Sequence, residues 1–289
     1  MHDAQREPAA DWTGQPAGSN NLVLRVLSAV ILAPLALGTA YVGSWPFALF
    51  WTLAALAVLW EWTKLAAGPG YILMFSSCGS ALVVAALVEL RNRPAAAMLL
   101  VGLGVLASLI FAPRPRRLWI AAGIGYAGVM LLAPMLLRAD ADYGWLTLLL
   151  LFAIVWTTDV LGYFAGRAFG GPKLCPAISP KKTWSGAIAG ALGGMAVAGG
   201  LAQSQLFGSY STAAFAVIGL LLSVVAQGGD LLESWVKRRF GAKDASHLIP
   251  GHGGVMDRLD GFWAAALAAC LFGIARGGLH NAGLGLLVW

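Results

Sequence analysis

The 289-residue chain is 59% hydrophobic and only 11% charged, with a formal net charge of +6. So few charges cannot cover a soluble globular surface, and the composition points to lipid as the solvent. The positive balance does not indicate a nucleic-acid partner, because the basic residues are scattered through short connections and never assemble into a basic domain.

Residues 1–21 carry Asp3, Arg6, Glu7 and Asp11 among Pro and Gly. They are predicted to be a disordered cytoplasmic tail, and the first apolar run is predicted to be a retained helix rather than a cleaved signal peptide. A bilayer core about 30 Å thick takes roughly 20 apolar residues as a helix, since unpaired backbone groups cannot face hydrocarbon. Such runs are drawn at 23–43, 46–63, 71–89, 95–112, 118–137, 144–164, 185–206, 211–231 and 261–279. The expectation is an all-α polytopic membrane protein of about nine transmembrane helices, divided into 22–140 with the first five spans and a catalytic region, 141–289, with the other four. Two long loops, 165–184 and 232–260, belong to the second part.

With the N-terminus inside and the C-terminus outside, only Arg91, Arg93, Arg138 and Arg276 of the 19 basic residues fall on the outer side, so this orientation is predicted. Trp45, Trp60, Trp62, Trp119 and Trp145 cluster near span ends, where interfacial anchors belong. Cys78, Cys175 and Cys270 are odd in number and widely spaced, which suggests neither a disulfide framework nor a metal site.

Acidic residues in or beside a span are costly unless they are paired, hydrated or bound to a cation. Asp159 falls within the sixth span, Asp230 and Glu233 close the eighth, and Asp257 and Asp260 open the ninth on a shared helix face. Helix capping is an alternative for the last two, and pairing to nearby Lys or Arg for the whole group. Hard oxygen donors from separate helices suit Mg²⁺ completed by substrate phosphates, with these acids, Asp260 among them, as metal candidates.

Ser179-Pro180-Lys181-Lys182-Thr183 places two ammonium groups between two hydroxyls at the entrance to the seventh span. Charge, hydroxyls and free N–H groups there suit a phosphate; Thr183 or Ser185 as a plain N-cap is the competing reading. His252-Gly253-Gly254 can bring backbone N–H groups up to an anion, or serve only as a loop. Gly186-x-x-x-Gly190, with Gly193 and Gly194, reads as a helix-packing face.

The segment Ser234–Asp260, SWVKRRFGAKDASHLIPGHGGVMDRLD, resembles the C-terminal signature of the phosphatidate cytidylyltransferases. Ser234, Lys237-Arg238, Lys243-Asp244, Pro250, His252-Gly253-Gly254, Asp257-Arg258 and Asp260 carry the likeness. Asp159, Gly162-Tyr163, Gly166-Arg167 and Ser179–Thr183 resemble the family as well. Together these motifs span about 100 residues; the first half resembles the family in hydropathy alone, and Ser185 departs from a family Glu.

The resemblance implies that CTP and phosphatidate give CDP-diacylglycerol and pyrophosphate, with Mg²⁺, accompanied by K⁺, held by Asp230 and Asp257 in a homodimer. Lys181, Lys182, Lys237, Arg238, Lys243 and Arg258 would supply positive field to crowded phosphates, with Asp230, Asp257, Lys237 and Arg258 as catalytic candidates. Ser179, Thr183, Ser234, Asp244, His252, Gly253, Gly254 and Asp159 complete the expected substrate site. The expected setting is a bacterial inner membrane, with the site at the cytoplasmic face, the acyl chains in membrane lipid and no nucleic acid involved. A CTP-dependent lipid kinase and an ion-coupled transporter are the rival readings.

Overall fold

The computed structural model describes residues 20–66, 71–207, 210–249 and 253–288. The tail predicted over 1–21 lies outside these apart from Asn20 and Asn21, which open the first helix. In chain order the helices are α1 (Asn20–Val42), α2 (Ser44–Ala66), α3 (Tyr71–Glu89), α4 (Pro94–Phe111), α5 (Arg117–Arg138) and α6 (Gly144–Phe169). A short antiparallel hairpin follows, β1 (Lys173–Cys175) and β2 (Ser179–Thr183), and then come α7 (Trp184–Ala202), α8 (Thr212–Arg239), α9 (Met256–Gly277) and α10 (Ala282–Leu287). Eight helices, α2 through α9, are long and apolar enough to cross a membrane; the apolar stretch described within α1 is Val30–Val42. The chain is an all-α polytopic membrane protein, the hairpin being its small exception.

Several predicted boundaries move. α6 continues to Phe169, α8 to Arg239, and α9 begins at Met256, so the loop expected over 232–260 contracts to 240–255 and that over 165–184 becomes largely the hairpin. Loss of hydropathy does not end a helix: its backbone bonds are internal, and Lys237, Arg238 and Arg239 at the last turn of α8 suit the helix dipole. α10 was not anticipated; Arg276 holds it, donating to Gly285 O at 2.8 Å and Val288 O at 2.8 Å.

α5 is the hub, touching α2, α3, α4, α6, α9 and α10. Around it α2, α3 and α4 pack on one side, while α6, α7, α8 and α9 follow one another on the other. The two groups meet through aromatic rings. Trp51 of α2 stacks on Phe262 of α9 at 4.9 Å between centroids, and Tyr126 of α5 stacks on Trp263 of α9 at 4.2 Å. Trp62 corrects an expectation: it is buried, packs on Tyr126 and donates its indole N–H to Trp119 O at 2.8 Å, so it is a core clamp rather than an interfacial anchor.

The glycine face on α7 does pack closely. A Cβ at Gly190 would stand 2.8 Å from Thr158 O of α6, and one at Gly186 2.6 Å from Gly162 O. At that separation polar groups bridge the helices: Thr158 and Ser223 hydroxyls lie 2.6 Å apart, Ser223 donates to Gly190 O at 3.1 Å, and Gln227 donates to Ala187 O at 3.2 Å. Large apolar side chains such as Leu99, Leu103 and Phe111 remain on the outside, as expected of a surface that meets acyl chains.

Candidate active site

The end of α6, the hairpin, the start of α7, the end of α8 and the start of α9 surround a cavity of about 800 Å³. Six basic residues (Arg167, Lys173, Lys181, Lys182, Lys237, Arg258) and five acidic ones (Asp159, Asp230, Asp244, Asp257, Asp260) line it. So dense a mixture suits a polyanionic ligand and a cation rather than an apolar one.

Lys237 organises the floor. Its ammonium lies 2.6 Å from Glu233 Oε2 and 2.5 Å from Asp257 Oδ1. Asp257 Oδ2 then accepts from Gly254 N at 2.7 Å and Ala245 N at 3.0 Å, which fixes the carboxylate from both sides. Helix geometry explains the first pairing, since residues four apart share a face of α8. Glu233, buried and absent from the predicted site, was legible as an acid closing a span.

Across the cavity, Lys182 of β2 forms an ion pair with Asp230 of α8. Strand alternation separates Lys181 from Lys182, and both line the cavity. Ser234 reaches Asp230 Oδ1 at 3.5 Å, at the limit of a hydrogen bond. Asp159, Asp230 and Asp260 are near enough to interact electrostatically. Asp260 Oδ1 accepts its neighbour's N–H, from Gly261 at 2.7 Å.

Other expected residues sit differently. Thr183 lines the cavity but is the N-cap of α7, accepting from Gly186 N at 3.2 Å. Ser185 donates to Gly170 O at 2.5 Å and tethers the hairpin. Arg238 donates to Ala242 O at 3.2 Å, closing the end of α8, and neither it nor Ser179, Ser234 or Lys243 lines the cavity. Gly253 and Gly254 do not line it either: Gly253 adopts φ +86°, and the N–H of Gly254 is directed at Asp257. His252 lies outside the described residues. Tyr163, Arg167 and Lys173 were not among the expected site residues, yet all three line the cavity, and Arg167 donates to the Tyr163 hydroxyl at 3.1 Å.

The donor chemistry fits a divalent cation of the Mg²⁺ type. Among the described residues no three His, Cys, Asp or Glu side chains converge into a cage. Hard carboxylate oxygens facing a cavity instead match an ion held by one or two carboxylates and completed by water and phosphate.

A family model described as the cytidylyltransferase family matches residues 23–274. The phosphatidate cytidylyltransferase of Brucella abortus biovar 1 (strain 9-941) is 45% identical over 257 residues, covering 88% of this chain and 94% of that protein. That of Pseudomonas aeruginosa is 34% identical over 262 residues, covering 83% and 93%. The enzyme of that name from Haemophilus influenzae is 40% identical over 142 residues, covering 48% and 49%. The likeness therefore extends well beyond the C-terminal motifs, into the half that had matched in hydropathy alone. This chain belongs to the cytidylyltransferase family.

Proposed function

We propose that the chain transfers the cytidylyl group of CTP to phosphatidate, forming CDP-diacylglycerol and pyrophosphate for phospholipid synthesis. The observation that carries this reading is the cavity itself, in which six cations and five acids, all but Lys173 and Asp230 from the family's motif segments, gather beside membrane-spanning helices. A phosphatidate oxygen attacks the α-phosphorus of CTP, a new P–O bond forms, and the bond to the bridging oxygen breaks with release of pyrophosphate. The nucleophile is already anionic, so no general base is assigned; positioning and charge neutralisation supply the rate.

Lys181, Lys182, Arg167 and Lys173 face the cavity from the α6–hairpin side and are placed to draw in phosphate oxygens. Lys237 and Arg258 supply positive charge from the α8–α9 side. Asp230 and Asp257 would hold Mg²⁺, with Asp260 further along the acidic wall and K⁺ as a companion ion. The metal, when bound, screens phosphate charge and polarises the leaving group. A cytoplasmic face is supported by the basic residues gathered on this side, and a bacterial inner membrane by the bacterial sources of the relatives. The family resemblance supports a homodimer.

The test is to incubate the purified protein, in lipid nanodiscs, with labelled CTP, phosphatidate and Mg²⁺, and to identify both products. CDP-diacylglycerol with pyrophosphate is expected. Release of CDP would make the chain a lipid kinase, and CTP left intact alongside solute flux in vesicles would make it a transporter.

A further inference from the structure

Glu61 lies on α2, in the half of the chain that holds no predicted site residue, and it is completely buried. Its carboxylate receives three donors from the opposite half. Oε1 accepts from the Ser246 hydroxyl at 2.5 Å and from Val255 N at 2.8 Å, and Oε2 accepts from Met256 N at 2.7 Å. A buried carboxylate is expensive unless donors like these compensate it.

The position of those donors gives the residue its significance. α9 begins at Met256 with Val255 as N-cap, and Val255 has no side-chain oxygen to satisfy the exposed N–H groups. Glu61 supplies that cap from another helix. Asp257 meanwhile accepts from Ala245 N and Gly254 N, each adjacent in sequence to a partner of Glu61. The two carboxylates therefore interleave along the same two backbone stretches, and neither can shift without moving the other.

The neighbourhood is built around this contact. A Cβ at Gly254 would stand 2.6 Å from Glu61 Oε1, so the glycine leaves room for the carboxylate. Next to Glu61 on α2, Trp62 donates to Trp119 O and packs on Tyr126, so the same stretch of helix is also tied to α5.

We propose that Glu61 is a positioning residue for the cytidylyl transfer, clamping Ser246 to the start of α9 from α2 so that Asp257 and Arg258 face the substrate phosphates. The proposal rests on the function assigned above. Glu61 touches no cavity atom and acts only through Asp257 and its helix.

The experiment compares full-length wild type, Glu61→Gln, Ser246→Ala and the double variant in nanodiscs, scoring kcat and KM for CTP per folded molecule, with hydrogen exchange over 246–257. Gln retains the size but has one oxygen instead of two, so whichever way its amide turns, its NH₂ faces either Met256 N–H or Val255 N–H and leaves that donor without an acceptor. Glu61→Gln is expected to lower kcat roughly 10- to 100-fold, the scale of a misplacement of about 1 Å, with KM for CTP within about twofold. Exchange at Val255 and Met256 should rise. Ser246→Ala should have a smaller effect that vanishes in the Glu61→Gln background, because both act through one clamp. Unchanged kcat per folded molecule in Glu61→Gln, or fully additive losses in the double variant, overturns the proposal. Absence of product from wild type instead overturns the assigned reaction.

Discussion

Lys237 stands between Glu233 and Asp257, and that arrangement decides what loss of one acid does. In Asp257→Asn the ammonium keeps Glu233, so no buried charge is left alone and the helices are expected to remain folded. Turnover should fall at least about 100-fold, since the anionic oxygen at the cavity is gone. Asp230→Asn should be comparably inactive while leaving a folded protein. Wild-type-like, Mg²⁺-dependent turnover in both purified variants would remove the metal assignment. Lys182→Ala leaves Asp230 partly hydrated, so it too should fold. We expect kcat/KM for CTP to drop by about 2–4 kcal/mol of transition-state stabilisation, and an unchanged value would reduce the lysine to a topological charge. At this scale the sequence revealed residue types well, because acids near spans and paired lysines are conspicuous. It could not show that Arg238 and Thr183 spend their polar groups on helix ends, since capping and phosphate binding ask for the same chemistry. Glu61 was passed over although the rule that flagged Asp159 applies to it: an acid inside an apolar run requires a partner.

α6 and α7 approach closely because their contact faces carry glycine, and this makes a clean contrast possible within one helix. Gly190→Ala would push a methyl to within 2.8 Å of Thr158 O, a backbone atom that cannot step aside, and would strain the Ser223 to Gly190 O bond. A cost of about 1–3 kcal/mol is expected. Gly200→Ala meets nothing within 4 Å and should be neutral or stabilising by up to about 1 kcal/mol, through helix propensity alone. Thermal unfolding of the two variants in the same detergent checks the difference; equal shifts would show that α6 and α7 are not in close contact. The i, i+4 glycine spacing makes this packing legible in the sequence, since small residues four apart form a stripe. Helix ends were less legible. α8 passes its last apolar stretch and continues through Lys237, Arg238 and Arg239 because tertiary pairing, not hydropathy, holds that turn. The hairpin escaped notice because its strands, Lys173–Cys175 and Ser179–Thr183, are too short and polar for an alternating pattern to register.

The cavity draws on helix ends that alternate along the sequence: the end of α6, the start of α7, the end of α8 and the start of α9, the last of these held from outside the cavity by Glu61 near the end of α2. Helices that cross a bilayer one after another bring these ends to a single side, so one site and one orientation stand or fall together. Arg91 lies in the turn between α3 and α4, and Lys243 lies in the loop between α8 and α9; both are exposed. The N-inside reading puts them on opposite faces. In a background with Cys78, Cys175 and Cys270 replaced, Arg91→Cys should react with a membrane-impermeant maleimide on intact spheroplasts. Lys243→Cys should react only after permeabilisation. The reverse pattern would put the cavity on the outer face, away from cytoplasmic CTP, and could not be reconciled with the proposed reaction. Labelling of both from one side would show that the crossings between them are miscounted. If the cavity faces the cytoplasm, a lipid substrate held in the inner leaflet needs only the nucleotide to arrive from water, which accounts for a charged lining gathered mainly toward the helix ends, with Asp159 set deepest along α6.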